Sequence, residues 1–282
     1  MKTGISTGYI NRYGLLAGLK KMREHGYECI DYNMADTLSG LYLHEGEELK
    51  NKAEELRREI EGASITVSQT HGPWRWPPRD FTVGDREERF EKMAKAIRIT
   101  RLLGCSRFVI HPLMPFGFDS DPCPEKLWKM NAEFFKRLLP TAVGNDVVIC
   151  LENMPMAALS ISRPEDVLRF AKAMHSPNFK VCLDTGHCAV LGISPADAVR
   201  LLGREYLYAL HVHDNDGVND SHLIPYDGVI DWDGFSRALS DIGFDGCLSL
   251  ETEVRGEMPD TERDKKERLL AKTALKLAGG RK

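Results

Sequence analysis

The chain has 282 residues, 42% hydrophobic and 28% charged, with a net charge of −4 at pH 7. This is the composition of a soluble globular protein, and it excludes a disordered chain. No run approaches the roughly 20 apolar residues of a membrane span, and a pI near 6.2 gives no overall basic footprint for nucleic acid.

The N-terminal MKTGISTGYI runs straight into strand-like sequence without a signal-peptide core. Apolar runs of strand length then alternate with amphipathic stretches. In chain order the pattern predicts strand Gly4–Gly8, helix Tyr13–His25, strand Tyr27–Tyr32, helix Gly46–Gly62, strand Ser64–His71 and helix Asp85–Leu103. It continues with strand Arg107–His111, helix Glu125–Leu139, strand Val147–Glu152, helix Pro164–Met174, strand Lys180–Asp184 and helix Ser194–Leu202. Strand Tyr206–His213, helix Asp233–Ile242, strand Gly246–Glu251 and helix Thr261–Leu277 complete it. Gly26, Gly62 and Gly243 stand where helix C-caps stand, and Ser162 and Ser194 where N-caps precede proline. Alternating strands and helices over this length predict a single-domain (β/α)8 TIM barrel over 1–282, a fold of roughly 250 residues. A doubly wound sheet is the rival, but it calls for a glycine-rich phosphate loop after the first strand, and GISTGYINRYG matches poorly. Long loops at 72–84, 112–124 and 214–230 predict a roofed pocket. The seven cysteines are odd in number and lack a CxxC pair, which predicts scattered reduced thiols and a cytoplasmic protein.

Six of the predicted strands end, or nearly end, in a residue able to bind a metal: His71, His111, Glu152, Asp184, His213 and Glu251. Parallel strands of a barrel bring their C-terminal ends to one mouth. One carboxylate ending an apolar strand pairs with arginine or caps a helix as often as it binds metal. Six ligand-type residues at equivalent positions point to a metal site, because unpaired carboxylates are rarely buried. His187 in DTGH and Asp220 and His222 in DSH are further candidates for metal or substrate. Carboxylate and imidazole suit Mn, Co, Zn or Fe. His211 lies two residues before His213 and shares its face. His25 and His175 read as helix C-terminal residues and His44 as a surface residue. Trp74 and Trp76 either pack on the rim or cover the face of a sugar or base. Arg75, Arg79 and Arg255 are anion ligands or, more commonly, solvated surface cations.

HGPW, VIHP, LENM, LDTGH, HVHDND, DSH, GVIDW and LETE, in that order and spacing, resemble the xylose isomerase-like TIM-barrel superfamily. That group holds sugar and sugar-phosphate isomerases and epimerases, inosose-processing enzymes and endonuclease IV-type repair enzymes. The resemblance runs from Thr3 to about Leu277. Its ketose epimerases imply one divalent metal (Mn, Co, Mg or Zn) on Glu152, Asp184, His213 and Glu251. Glu152 and Glu251 would then be the catalytic pair of an enediolate mechanism, and His187 would bind substrate. His211, Trp74 and Asn215 are the accompanying substrate-side candidates. The epimerases tend to carry an arginine soon after the metal histidine, and HDNDG has none. The endonuclease IV branch implies a three-zinc cluster on His71, His111, Glu152, Asp184, His187, His213, Asp220, His222 and Glu251. It makes a zinc phosphodiesterase the alternative, with a lyase or deglycosidase subunit of the same fold as a further one. The loops MPFGFDSDPCPE and DNDGVNDSHLIPYDG are acidic or neutral, so a small sugar-like substrate is expected over nucleic acid. No membrane partner is expected, and a homo-oligomer is allowed.

Overall fold

The computed structural model describes residues 1–34, 40–74 and 77–279. The strands are β1 (Lys2–Ser6), β2 (Cys29–Asn33), β3 (Thr66–His71), β4 (Arg107–Ile110), β5 (Val148–Glu152), β6 (Phe179–Asp184), β7 (Leu207–His211) and β8 (Cys247–Leu250). They form one sheet in the order β7-β6-β5-β4-β3-β2-β1-β8, and every ladder is parallel. The Val212–Leu250 bridge closes the ring, with Val212 N–H to Ser249 O at 2.9 Å and Glu251 N–H to Val212 O at 3.0 Å. The fold is a single (β/α)8 barrel.

The helices are α1 (Gly8–Tyr13), α2 (Leu15–His25), α3 (Gly46–Gly62), α4 (Val83–Leu102), α5 (Pro124–Gly144), α6 (Pro164–Ala173), α7 (Thr185–Val190), α8 (Pro195–Tyr206), α9 (Trp232–Asp241) and α10 (Asp260–Leu277). Their apolar faces cover the barrel. The core between helices and strands includes Phe135, Phe170, Phe179, Trp232 and Phe235, all fully buried. Helix starts follow local chemistry. Thr82 and Asp85 form a capping box at α4, Ser194 accepts from Asp197 N at α8, and Asp231 accepts from Gly234 N at α9.

Several boundaries differ from the sequence pattern. The first predicted helix, Tyr13–His25, is α2 from Leu15 onward; a further short helix, α1, precedes it, and Gly14 with φ 78 and ψ 164 separates the two. Gly26 and Gly243 do follow their helices with positive φ, whereas Gly62 is the last helical residue of α3. Ser162 does not cap α6; its hydroxyl donates to Met154 O at 2.7 Å, and Arg163 occupies the cap position. The short α7 starts on the last residue of β6, since the Asp184 carboxylate accepts from His187 N. All seven cysteines are unpaired thiols, with Cys123 alone exposed. Among the described residues no helix is long and apolar enough to cross a membrane.

The alternation of side chains along each strand sets the site. Val109, Cys150, Cys182 and Ala209 form one buried cluster inside the barrel. Two residues further along their strands stand His111, Glu152, Asp184 and His211, which therefore occupy the next layer up. Gln69 stands below His71 by the same rule, Cys29 below Asp31, and Ser249 below Glu251. The floor is small and mostly apolar, and the layer above is almost wholly ionisable.

Candidate active site

Glu152, Asp184, His211 and Glu251 each turn a ligand atom to within 4.8 Å of the others. His211 Nδ1 lies 2.9 Å from Glu152 Oε1 and 3.3 Å from Glu251 Oε2. The quartet expected from the sequence had His213 in that place. Asp184 is paired in register with His211, and His213 lies one pleat beyond the end of β7. There His213 Nε2 faces Asp184 Oδ2 at 3.0 Å and Asp220 Oδ1 at 3.8 Å, with its ring stacked 3.9 Å from that of His222.

Two further groups flank the quartet. His71 Nε2 and His111 Nε2 are 3.1 Å apart, and both are 3.3 Å from Glu152 Oε2. His187 Nε2 and His222 Nε2 lie 3.3 and 3.4 Å from Asp220 Oδ2. The other ring nitrogens are tied down. His71 Nδ1 faces Gly72 O at 2.7 Å, His187 Nδ1 faces Asn153 O at 2.7 Å, and His222 Nδ1 faces Glu251 O at 2.6 Å. A carbonyl only accepts, so each of these nitrogens carries the proton. In the neutral rings the second nitrogen is then a lone pair aimed at carboxylate oxygens. Glu152 Oε2 itself has no hydrogen-bond partner and is buried.

Lone pairs and carboxylates converging in a buried space need a positive charge between them. Protons supply it in the metal-free protein. His187 is raised to about 10: burial works against this, and the charges of Asp184 and Asp220 outweigh it. His222 is raised to about 9, against burial, by Asp220 and Glu251. His71 and His211 also rise, while burial pushes His111 down to about 4. Burial favours a neutral Glu152, but His211 and His111 hold its carboxyl well below the usual range. Glu251 is raised by burial and by the charges of Glu152 and Asp184. A divalent cation fits the same donors. Ligating histidines characteristically give their other N–H to a carbonyl or carboxylate, as His71, His187, His211 and His222 do here.

Several contributors carried no signal of their own in the sequence. Asp31 Oδ2 accepts from His211 Nε2 at 3.0 Å and from Gln69 Nε2 at 2.8 Å, and all three side chains are buried. Asp31 sits within DYN at the end of β2, and Gln69 shares a face with His71, so strand alternation could have found both. The Asn153 side chain clamps β5 to β6 through both the N–H and C=O of Asp184. Asp214 gathers the loop at 214–230. Its Oδ2 accepts from Trp232 Nε1 at 2.7 Å and from Tyr226 N and Gly228 N at 3.1 Å, and its Oδ1 from Asn215 N at 3.0 Å and Ile230 N at 3.2 Å. That loop carries Asp220 and His222, and both His222 and Tyr226 hold the left-handed conformation, with φ 49 and 79.

A cavity of about 300 Å³ opens above. His71, His111, Glu152, His187, Asp220, His222 and Glu251 reach it, as does Trp74. His211 and Asn215 do not line it: both are buried beneath, and Asn215 spends its amide on Gly186 O and its carbonyl on Gly217 N. Arg75 and Trp76 lie outside the described residues. The rim is less acidic than the two loops suggested, because Arg79, Arg89 and Lys92 join it from the β3–α4 side. Asp80 and Glu88 balance two of these charges, with Arg89 to Asp80 at 2.6 Å and Lys92 to Glu88 at 2.7 Å. The helix and loop histidines are apart from the site. His25 is buried between Tyr9 and Asp264, His44 pairs with Glu48, and His175 follows α6 with φ 49.

A closed parallel barrel with carboxylates and histidines ringed at its C-terminal mouth defines a class, and the sequence bears it out. The profile of the xylose isomerase-like TIM barrel family matches residues 19–275, and the chain belongs to that family. An uncharacterized protein of Methanocaldococcus jannaschii is 28% identical over 89% of this chain and 83% of its own length. D-psicose 3-epimerase of Ruminiclostridium cellulolyticum is 25% identical over 71% of this chain and 68% of its own. Among solved structures, the IOLI protein with a bound zinc atom superposes with a TM-score of 0.76 at 19% identity, over 99% of this chain and 98% of that one.

Proposed function

We propose that the protein is a divalent-metal-dependent sugar isomerase or epimerase. The observation that carries this reading is the convergence of Glu152, Asp184, His211 and Glu251 within 4.8 Å at the base of an open cavity. The sugar epimerase among the relatives supports the substrate class, and the zinc-binding structure supports a metal on this fold. A bound Mn, Co, Mg or Zn would polarise a substrate carbonyl and stabilise charge on its oxygen.

The chain's own residues supply the rest. Glu152 stays ionised among three histidines, which suits it to hold the cation and to face a substrate proton only once that proton is acidified. Glu251 is the more exposed of the pair, and its raised carboxyl suits it to accept and return a proton. One carboxylate takes the proton from the carbon beside the carbonyl, and the other returns it. Asp31 and Gln69 fix the His211 ring, and Asn153 fixes Asp184. His187 faces the cavity, where it meets substrate hydroxyls if a single metal occupies the quartet.

The test combines metal content with exchange chemistry. Protein purified without chelator or histidine tag is expected to carry about one Mn, Co or Mg per chain, and to wash deuterium from solvent into a ketose. Glu251→Gln is expected to cut turnover by roughly 10²–10⁴-fold, as loss of a general acid–base does. Wild-type turnover in that variant ends the mechanism. A second reading rests on one specific observation, the flanking groups His71/His111/Glu152 and His187/Asp220/His222. If they too hold metal, about three zinc ions per chain are expected, and hydrolysis of a phosphodiester at an abasic site becomes the activity to assay.

A further inference from the structure

At the foot of the barrel, opposite the carboxylate–histidine ring, β2 opens with Cys29 and β8 opens with Cys247. β1 runs between these strands, and its Gly4 is in register with Cys29 on one side and Ser249 on the other. Cys29 lies beneath Asp31 and Cys247 beneath Ser249, each two residues lower on the same inward face. Both thiols are buried, Cys29 at 1% exposure and Cys247 at 7%.

In a flat sheet, strands on either side of a shared neighbour stand about 9–10 Å apart, at about 4.7–4.9 Å per step. That is beyond the roughly 4.4–6.8 Å between Cα atoms that a disulfide spans. Here the curvature of the barrel draws β2 and β8 together, and Cα atoms of the two strands come within 8 Å of each other. Gly4 is what lets the side chains meet. A Cβ on Gly4 would stand 2.7 Å from Cys247 Sγ and 3.1 Å from Cys29 Cβ. The two cysteine side chains therefore converge on the space that any other side chain at this position would fill.

The pair is also divided in its chemistry. The Cys247 thiol, bonded toward Cys29 against the effect of burial, holds Cys29 below the ordinary thiol range, helped by the Thr66 hydroxyl at 3.5 Å and by Lys2. Cys247 is raised in turn by that same contact and by burial. Burial raises Cys105, Cys150, Cys182 and Cys188 as well. Cys29 stands apart from these as a thiolate-forming sulfur with a proton-bearing thiol beside it, the arrangement of an attacking and a resolving cysteine.

We propose that Cys29 and Cys247 are a redox-modification site, which a hydroperoxide converts to a disulfide closed over Gly4. The Cys29 thiolate attacks the O–O bond, an S–O bond forms, and hydroxide leaves and takes the Cys247 proton to become water. The Cys247 thiolate then attacks the sulfenic sulfur, the S–S bond forms, and the second hydroxide leaves and takes up the proton that Cys29 gave to solvent. The two thiols are oxidised, the peroxide is reduced, and two waters result. Thiol exchange reverses the bond. The cross-link fixes the starts of the two strands that carry Asp31 and Glu251, and it does not depend on the isomerase reading.

The experiment uses full-length Cys123→Ser protein, which lacks the one exposed thiol, treated with hydrogen peroxide. Free thiols are then alkylated in denaturant, and the protein is digested without reductant for mass spectrometry. The Cys29 and Cys247 peptides are expected to appear joined, lighter by two hydrogens than their sum and separable by dithiothreitol, with the other buried cysteines alkylated. In Cys247→Ser, a near-isosteric change, the joined species is expected to vanish and Cys29 to be trapped by dimedone as the sulfenic acid. The proposal is overturned if Cys29 and Cys247 are both fully alkylated at a peroxide level that oxidises Cys123 of the unsubstituted chain. It is equally overturned if Cys29 advances to sulfinic acid while Cys247 stays free, or if either cysteine is found joined to another partner instead.

Discussion

Asp31→Asn separates charge from shape at the centre of the site. Asp31 Oδ2 takes both hydrogen bonds, from His211 and Gln69, while Oδ1 has no partner. An asparagine can place its carbonyl where Oδ2 stands and its amide where Oδ1 stands, so both hydrogen bonds keep their geometry. What is lost is the negative charge behind His211. Two charge-assisted bonds become neutral ones, at roughly 1 kcal/mol each. Relief of a buried, half-satisfied carboxylate offsets part of that, so a small change in urea midpoint is expected. The effect on metal should be larger, because a carboxylate behind a ligating imidazole raises its basicity. Its loss typically costs about 10–100-fold in affinity, or about 1.4–2.7 kcal/mol. The assay is titration against a competing chelator, with urea unfolding of the metal-free protein in parallel. A metal affinity within about twofold of wild type in a normally folded variant would refute the assignment of His211 as a ligand supported by Asp31.

Asp214→Asn should destabilise far more than a surface change. The amide can keep one oxygen toward Trp232, Tyr226 and Gly228 but turns N–H against Asn215 N and Ile230 N. Two stranded donors at about 1–3 kcal/mol each predict a loss of about 2–6 kcal/mol in urea unfolding, and a loss under about 1 kcal/mol would count against the loop's dependence on this side chain. Gly186→Ala should displace His213, since a Cβ there would stand 2.0 Å from His213 Cε1; unaltered histidine resonances in NMR spectra of the variant would oppose this. In chelator-treated protein, His187 and His222 have folded values of about 10 and about 9 against an ordinary 6.5. Their contribution is full below the ordinary value and is lost as pH rises through about 9 and then about 10. The urea midpoint of metal-free protein should therefore fall across that window, and metal should bind there with release of protons. A flat midpoint up to about pH 10 contradicts the pairing with Asp220.

The barrel was legible because strand-length runs, most of them apolar, alternate with amphipathic stretches. The ends of those runs also announced Glu152, Asp184 and Glu251. His211 and His213 share a face, and the sequence alone did not show which of them stands level with Asp184. The register of β7 against β6 places His211 beside Asp184 and sends His213 a pleat higher. Asp31 was passed over because it lies inside the predicted strand Tyr27–Tyr32 and not at its last residue, and its partner is 180 residues away. Gly14 was missed because a glycine inside an amphipathic stretch interrupts the helix only when its backbone takes positive φ, which the residue type permits but does not require.

The closure between β7 and β8 has a consequence for how the molecule breathes. Seven joints of the ring are laddered, while this one hangs on the Val212–Leu250 bridge. His211 and Glu251 sit on opposite sides of it. An ion gripped by both would act as a rivet across the thinnest weld in the barrel. Hydrogen–deuterium exchange at the Val212 and Glu251 amides should then be fast in stripped protein and slow in loaded protein, with the remaining joints little changed.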